Sequence, residues 1–208
     1  FLPYISNGIK IIKEYHSSRY FYVKNLPNLN YFKKIIEKIN NLIEKKYDYL
    51  VILNKDEEKY FNSKNTLVIP NPTLDFGYSN YDNRQNIIIA AGRIAPVKQF
   101  DHLIKIWSLI SNRYNNWELH IYGEGDKDLQ FELQKLINTL KIPNIFFKGA
   151  TDDLYLKMKN ASIFALTSQT ECFPMVLLES LSCGLPVISY DCPNGPRNII
   201  TNNEDGIL

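Results

Sequence analysis

The residues best suited to chemistry fall in four clusters of the 208-residue sequence. Gly92-Arg93 closes an apolar run, and Lys98 follows five positions after Arg93. A glycine lets the backbone pass close to a ligand, and the two cations face whatever lies above that point. Thr170-Glu171-Cys172-Phe173-Pro174-Met175 leads into an apolar helical segment carrying Glu179, so two glutamates stand eight positions apart across a loop-to-helix junction. Glu171 falls before the helix and Glu179 just inside it, where both can face one cleft beside the helix N-terminus. Cys183-Gly184-Leu185-Pro186-Val187-Ile188 ends that helix and opens a strand, and Asp191-Cys192-Pro193-Asn194-Gly195-Pro196-Arg197 is a stiff loop after it.

The elements that must hold these clusters follow from periodicity. Apolar runs at Ile87–Ala91, Trp117–Tyr122, Ile145–Phe147, Ile163–Leu166 and Pro186–Tyr190 alternate with helical spacing at 100–110, 129–140, 153–159 and 175–183. Continuous apolar strands alternating with helices predict a Rossmann-like parallel α/β sheet covered on both faces. Ligands of such sheets bind beyond the carboxyl ends of the strands, where every cluster above lies. Upstream, Gly8–Tyr15 reads as a strand ending at His16. Residues 28–47 read as an amphipathic helix with a lysine-rich outer face. Tyr49–Leu53 and Thr66–Ile69 read as strands around a charged, helical piece, and Pro196 as the first residue of one more helix. The expected division is an acceptor-side domain over 1–72, a polar linker over 73–85 and a ligand-binding domain over 86–208.

In order and spacing, Gly92-Arg93 with Lys98, Ile121-Tyr122-Gly123-Glu124-Gly125, Glu171 with Glu179, Gly184-Leu185-Pro186-Val187-Ile188 and Gly195-Pro196 resemble glycosyltransferase family 4. Its pattern is G-R-x4-K-G, I-x-G-x-G, E-x7-E, G-x-P-V-I and a glycine-proline loop. Two positions depart from it: Gln99 stands where glycine usually follows the lysine, and Pro174 where many members have glycine. The second removes a backbone N–H.

The resemblance implies a GT-B fold, seen here without its two ends, and retaining transfer of a sugar from a nucleotide-diphosphate donor, UDP by family frequency. The acceptor would be a glycan or lipid-linked glycan, in cell-surface polysaccharide synthesis. It implies that Glu171 meets hydroxyls of the transferred sugar, that Glu179 holds the ribose diol, and that Gly92, Gly123, Phe173, Pro174 and Met175 line the donor site. His16 matches a position facing the reaction centre from the other domain. Arg93 offers a planar fork and Lys98 a compact charge for the leaving diphosphate. With the dipole of the helix after Pro174 they would do what a metal does elsewhere, so neither metal nor cofactor is expected.

Other readings are weaker. Lys+Arg 24 against Asp+Glu 22 excludes a strongly basic nucleic-acid binder. No apolar run reaches the roughly 20 residues of a membrane helix. Cys172, Cys183 and Cys192 lack disulfide or zinc spacing and suit a reducing cytoplasm. The resemblance leaves open peripheral association with the inner face of the plasma membrane through sequence upstream. The start, FLPYISNGIK, reads as internal, so residues 1–208 alone are expected to lack turnover. Asp126-Lys127-Asp128 imitates a metal signature but sits where aspartates cap a helix. Gly123-Glu124-Gly125 falls short of a dinucleotide fingerprint, and His102 and His120 read as structural. The alternatives kept in view are a sugar-nucleotide epimerase or hydrolase on the same fold and a non-catalytic nucleotide-sugar-binding module.

Overall fold

The computed structural model describes residues 8–20, 30–77 and 83–208, with backbone alone for 30–34 and 37. Two parallel sheets organise them. The first has three strands, β1 (Ile12–Glu14), β2 (Tyr49–Ile52) and β3 (Thr66–Val68), in that order. The predicted strand from Gly8 is shorter because Gly8 takes a positive φ of 102° in a turn. α1 (Asn30–Glu44) links β1 to β2; the helix ends predicted at 28 and 29 lie outside the described residues. Its apolar face, Ile35, Ile36, Ile39, Leu42 and Ile43, is exposed, contrary to the inward face that its periodicity predicts, because no described element lies over it. The charged piece after β2 is a 3-10 helix over Lys55–Tyr60, capped by the Asn54 side chain.

The second sheet is built from β4 (Ile87–Ala91), β5 (Glu118–Tyr122), β6 (Ile145–Gly149), β7 (Ile163–Leu166), β8 (Val187–Ser189) and β9 (Gly206–Ile207). Its order is β6-β5-β4-β7-β8-β9, and every pairing is parallel, as the alternation predicts. α2 (Phe100–Ile110) and α3 (Lys127–Leu140) bury Leu103, Ile104, Trp107, Leu133 and Ile137 on one face. α4 (Leu154–Asn160) and α5 (Met175–Ser182) bury Met158 and Leu177 on the other. Each such side chain, fully withdrawn from water, contributes about 1.5–3 kcal/mol. The chain leaves β4 toward β5 on one side and returns through β7 on the other. The topological switch point therefore lies between the carboxyl ends of β4 and β7, where ligands of open α/β sheets settle.

Two local findings amend the expectations. Pro196 opens only a single 3-10 turn, Pro196–Asn198, and Ile199 at its end leaves helical geometry at φ −122°. Lys98 likewise ends a 3-10 turn, Pro96–Lys98, and Gln99 joins that turn to α2 in the left-handed region, at φ 48° and ψ 44°. The left-handed conformation costs an L-residue about 1–2 kcal/mol and glycine nothing. That is the physical reason glycine suits this position, and Gln99→Gly should stabilise the fold by about 0.5–1 kcal/mol after glycine's entropic penalty. Urea unfolding of the two proteins checks this.

Between the sheets, residues 74–76 lie on α5 rather than hanging free. The Phe76 N–H donates to the Ser182 hydroxyl at 2.9 Å, and the Phe76 ring stacks on Tyr155 at 5.2 Å. Arg84 donates to the carbonyls of Met158, Ala161 and Cys183.

Candidate active site

The ends of β4 and β5 come together first. Gly123, at φ 133°, lies so close to β4 that a Cβ there would sit 2.0 Å from the Gly92 oxygen. Gly92 in turn is covered by the Lys98 side chain, whose Cε would lie 3.3 Å from a Cβ on Gly92. Thr167, after β7, donates its hydroxyl to the carbonyls of Lys98 and Gln99 at 3.2 Å each. The Gln169 N–H donates to the Val97 carbonyl at 2.8 Å. These bonds pin the Lys98 turn to the end of β7, across the switch point.

Lys98 Nζ donates to Glu171 Oε1 at 2.6 Å, with the two side chains 21% and 13% exposed. The Ser168 hydroxyl donates to the same oxygen at 2.6 Å. Glu171 Oε2 takes no hydrogen bond from any described residue and is not sealed from solvent, so one carboxylate oxygen remains free for a ligand hydroxyl. Behind it lies Gly195, where a Cβ would stand 2.6 Å from Glu171 Cβ and 3.0 Å from Pro174 Cδ. Arg197 clasps Asp191 through two bonds, 2.8 and 2.7 Å, and closes the loop.

Arg93 is exposed just beyond β4, and among the described residues its guanidinium has no hydrogen-bonded or ionic partner. Glu179, within α5, is half-buried, and its carboxylate likewise has no partner among them. Burial pushes the Glu179 carboxyl above its usual value. A carboxyl raised on folding adds stability below its unfolded pKa, about 4.3, and that contribution is lost as pH rises through the folded value. Glu179→Gln should therefore raise the melting temperature at pH 7, with the gain vanishing near pH 4. Calorimetric melting at both pH values reads it.

Phe173 and Met175 are half-buried around Pro174, which is buried and precedes α5, and no side chain caps that helix N-terminus. An open hollow of about 380 Å³ adjoins Glu171 through Ser168, and Gln99, Gln169, Tyr190 and Asp191 also line it. Arg93 and Glu179 are not part of its wall. Thus Gly92, Lys98, Gly123 and Glu171 form one contiguous cluster, Arg93 follows Gly92 at its edge without a partner among the described residues, and Glu179 lies within α5. His16 does not join them: its ring is exposed and its Nε2 lies 3.2 Å from Glu14 Oε2.

The remaining candidates resolve structurally. Asp126 Oδ1 accepts from the N–H groups of Asp128 and Leu129, the capping role expected of it. Among the described residues no group of three His, Cys, Asp or Glu is placed to hold a metal ion. Burial pushes the Cys172 and Cys192 thiols up to about 12, with Glu57 and Glu171 adding for Cys172 and Glu171 for Cys192, so neither is a thiolate nucleophile. His120 is buried in β5 with Nε2 2.6 Å from Glu118, and the His102 ring meets Tyr190 edge-on.

Sequence reasoning missed Ser168, Asn54, Glu57 and Asn194. The Asn54 amide donates to the Cys172 carbonyl at 2.8 Å, and the Asn194 amide donates to Glu57 Oε1 at 2.8 Å. The available signals were the cap pattern of Asn54 with Glu57 three positions on and the Asn-Gly turn at 194–195.

A family profile described as glycosyl transferases group 1 matches residues 74–208, and the chain belongs to that family. An uncharacterized glycosyltransferase of Methanocaldococcus jannaschii is 31% identical, the match covering 94% of this chain and 52% of the relative. A poly(ribitol-phosphate) alpha-N-acetylglucosaminyltransferase of Staphylococcus aureus is 30% identical over 89% of this chain and 38% of its own. Among solved structures, a TarM variant from S. aureus, in complex with Fondaparinux, alpha-GlcNAc-glycerol and UDP, superposes with a TM-score of 0.77 at 24% identity. That superposition covers 96% of this chain and 40% of TarM. The fold is that of the GT-B glycosyltransferases, a parallel α/β sheet with helices on both faces. The chain spans about half the length of the first curated relatives it matches, or less.

Proposed function

We propose that this chain carries the donor site of a retaining glycosyltransferase that moves a sugar from a UDP-sugar to a glycan or lipid-linked glycan of the cell surface. The observation that carries the reading is the Lys98–Glu171 pair across the switch point, with one Glu171 oxygen free and Arg93 unengaged beside it. As the bond between sugar and diphosphate breaks, negative charge grows on the leaving group. Arg93 binds its oxygens as a fork and Lys98 as a point charge. Glu171 accepts from hydroxyls of the transferred sugar and Glu179 from the ribose diol. Gly92 and Gly123 let the backbone approach the diphosphate, and Phe173, Pro174 and Met175 set the helix terminus against it. His16 reaches the reaction centre from the first sheet when donor and acceptor are bound. Residues 1–72 then serve as the acceptor side, 73–85 as linker and 86–208 as the donor side, with the whole working in the cytoplasm.

The nucleotide choice draws on the UDP in the TarM complex, and the cell-surface acceptor on the poly(ribitol-phosphate) relative. The two cations at the strand ends replace a divalent ion in this reading. UDP titrated by calorimetry in chelator and then in magnesium should give dissociation constants within about threefold; a tenfold tightening, about 1.4 kcal/mol, contradicts it. Donor turnover without any acceptor would favour the epimerase or hydrolase instead.

A further inference from the structure

We propose that Asn194 and Glu57 act together as positioning residues for Glu171, latching the loop of residues 191–197 to the first sheet so that the sugar-facing carboxylate is held in one orientation. The proposal rests on the donor-site reading above.

Neither residue touches the Glu171 carboxylate. Both are withdrawn from water, Asn194 at 1% exposure and Glu57 at 2%. The Asn194 amide makes two donor bonds into the first half of the chain, to Glu57 Oε1 and to Ser18 Oγ, each 2.8 Å. Glu57 Oε2 accepts from the Arg19 backbone N–H at 3.1 Å. Glu57 is thus a buried carboxylate held by one amide N–H and one backbone N–H, and losing either leaves a desolvated charge short of a donor. Asn194 adopts the left-handed region at φ 74°, which asparagine tolerates best after glycine. Its own carbonyl accepts from Asn198 Nδ2 at 2.6 Å, and the same Asn198 amide reaches Asp56 Oδ2 at 3.0 Å.

The link to the site runs through the backbone. Gly195, the next residue, is pressed against Glu171, where even a Cβ would come within 2.6 Å of Glu171 Cβ. From the opposite side, Asn54 Nδ2 holds the Cys172 carbonyl at 2.8 Å, and Asn54 Oδ1 accepts from the Glu57 N–H at 3.1 Å. The short helix over 55–60 therefore grips Glu171 and the residues just after it by two routes, one through Asn54 to Cys172 and one through Glu57, Asn194 and Gly195. A shift of either sheet against the other moves Glu171 relative to Lys98. That makes the sugar-facing half of the site sensitive to the first sheet, while Arg93 and the β4–β5 glycines stay fixed to the second.

The test compares the complete chain with Asn194→Asp, Glu57→Gln and the double variant. Asn194→Asp sets two carboxylates face to face. In the double variant the bond is rebuilt in reverse, with an amide donor at 57 and a carboxylate acceptor at 194. Dissociation constants are measured for UDP, UDP-glucose and UDP-N-acetylglucosamine. For Asn194→Asp the ratio of UDP-sugar to UDP dissociation constants should rise at least tenfold while UDP itself changes less than threefold, and the double variant should return to within threefold of wild type. A purely structural role would weaken UDP and UDP-sugar alike, and that result overturns the proposal. So does an unchanged ratio, or a double variant no better than Asn194→Asp. If Asn194→Asp does not fold by circular dichroism, Asn194→Gly keeps the left-handed backbone, deletes the amide and is expected to raise the ratio equally. Wild type that binds none of the three nucleotides overturns the donor-site reading itself and this proposal with it.

Discussion

Replacing Arg93 by alanine should lower kcat for sugar transfer by the complete enzyme about a hundredfold, because removing one donor aimed at developing charge commonly costs about 3 kcal/mol. The effect should fall on kcat, since in the proposed reading the charge assigned to Arg93 grows only as the donor bond breaks. Its guanidinium is exposed and unengaged, so the fold should lose little and the melting temperature should stay close to wild type. Arg93→Lys is the sharper variant: it keeps the charge and removes the planar fork. Glu179→Ala provides the contrast and should raise the Michaelis constant for donor, because in the proposed reading it would bind ribose, which changes little during reaction. Full activity of Arg93→Lys together with unchanged donor affinity in Glu179→Ala would refute the assigned roles.

Lys98→Ala should cost both stability and turnover. It strips Glu171 of its ion pair at 2.6 Å and leaves a carboxylate only 13% exposed with Ser168 as its remaining donor. Breaking one half of a well-buried pair costs about 3–5 kcal/mol, and the residual exposure of both groups places this one near the lower figure. The double variant Lys98→Ala with Glu171→Gln should recover much of that loss, because the unpaired charge is gone, yet remain inactive. Urea unfolding read beside steady-state kinetics separates the two outcomes. If the double variant is no more stable than Lys98→Ala, the loss does not come from an unpaired charge on Glu171.

The parts of this architecture written in local sequence were legible. β4, β5 and β7 are short apolar runs with helical spacing between them, which is enough to imply a covered parallel sheet, and Gly92-Arg93 and the two glutamates are recognisable by spacing. Long-range side-chain bonds carry no such period. The Asn54 bond to Cys172 joins residues 118 apart, and that of Asn194 to Glu57 joins residues 137 apart. One amide at a loop position looks the same in sequence whether it is buried or solvated. The left-handed turn at Gln99 is signalled only by the glycine that the resemblance puts there; glutamine itself gives no hint of positive φ, and the Thr167 hydroxyl bonded to its carbonyl is a long-range contact. In α1 the period was right and its use was not, since the apolar face it describes is exposed among the described residues.

The central claim is that the nucleotide lies over the carboxyl ends of β4 and β7, held by the cations there. A crystal structure of the complete chain with UDP tests it most directly. The account predicts diphosphate oxygens about 2.7–3.2 Å from the Arg93 guanidinium and Lys98 Nζ, with a ribose hydroxyl on Glu179. A nucleotide bound at the opposite edge of the sheet, or one that leaves Arg93 and Lys98 untouched, would contradict it.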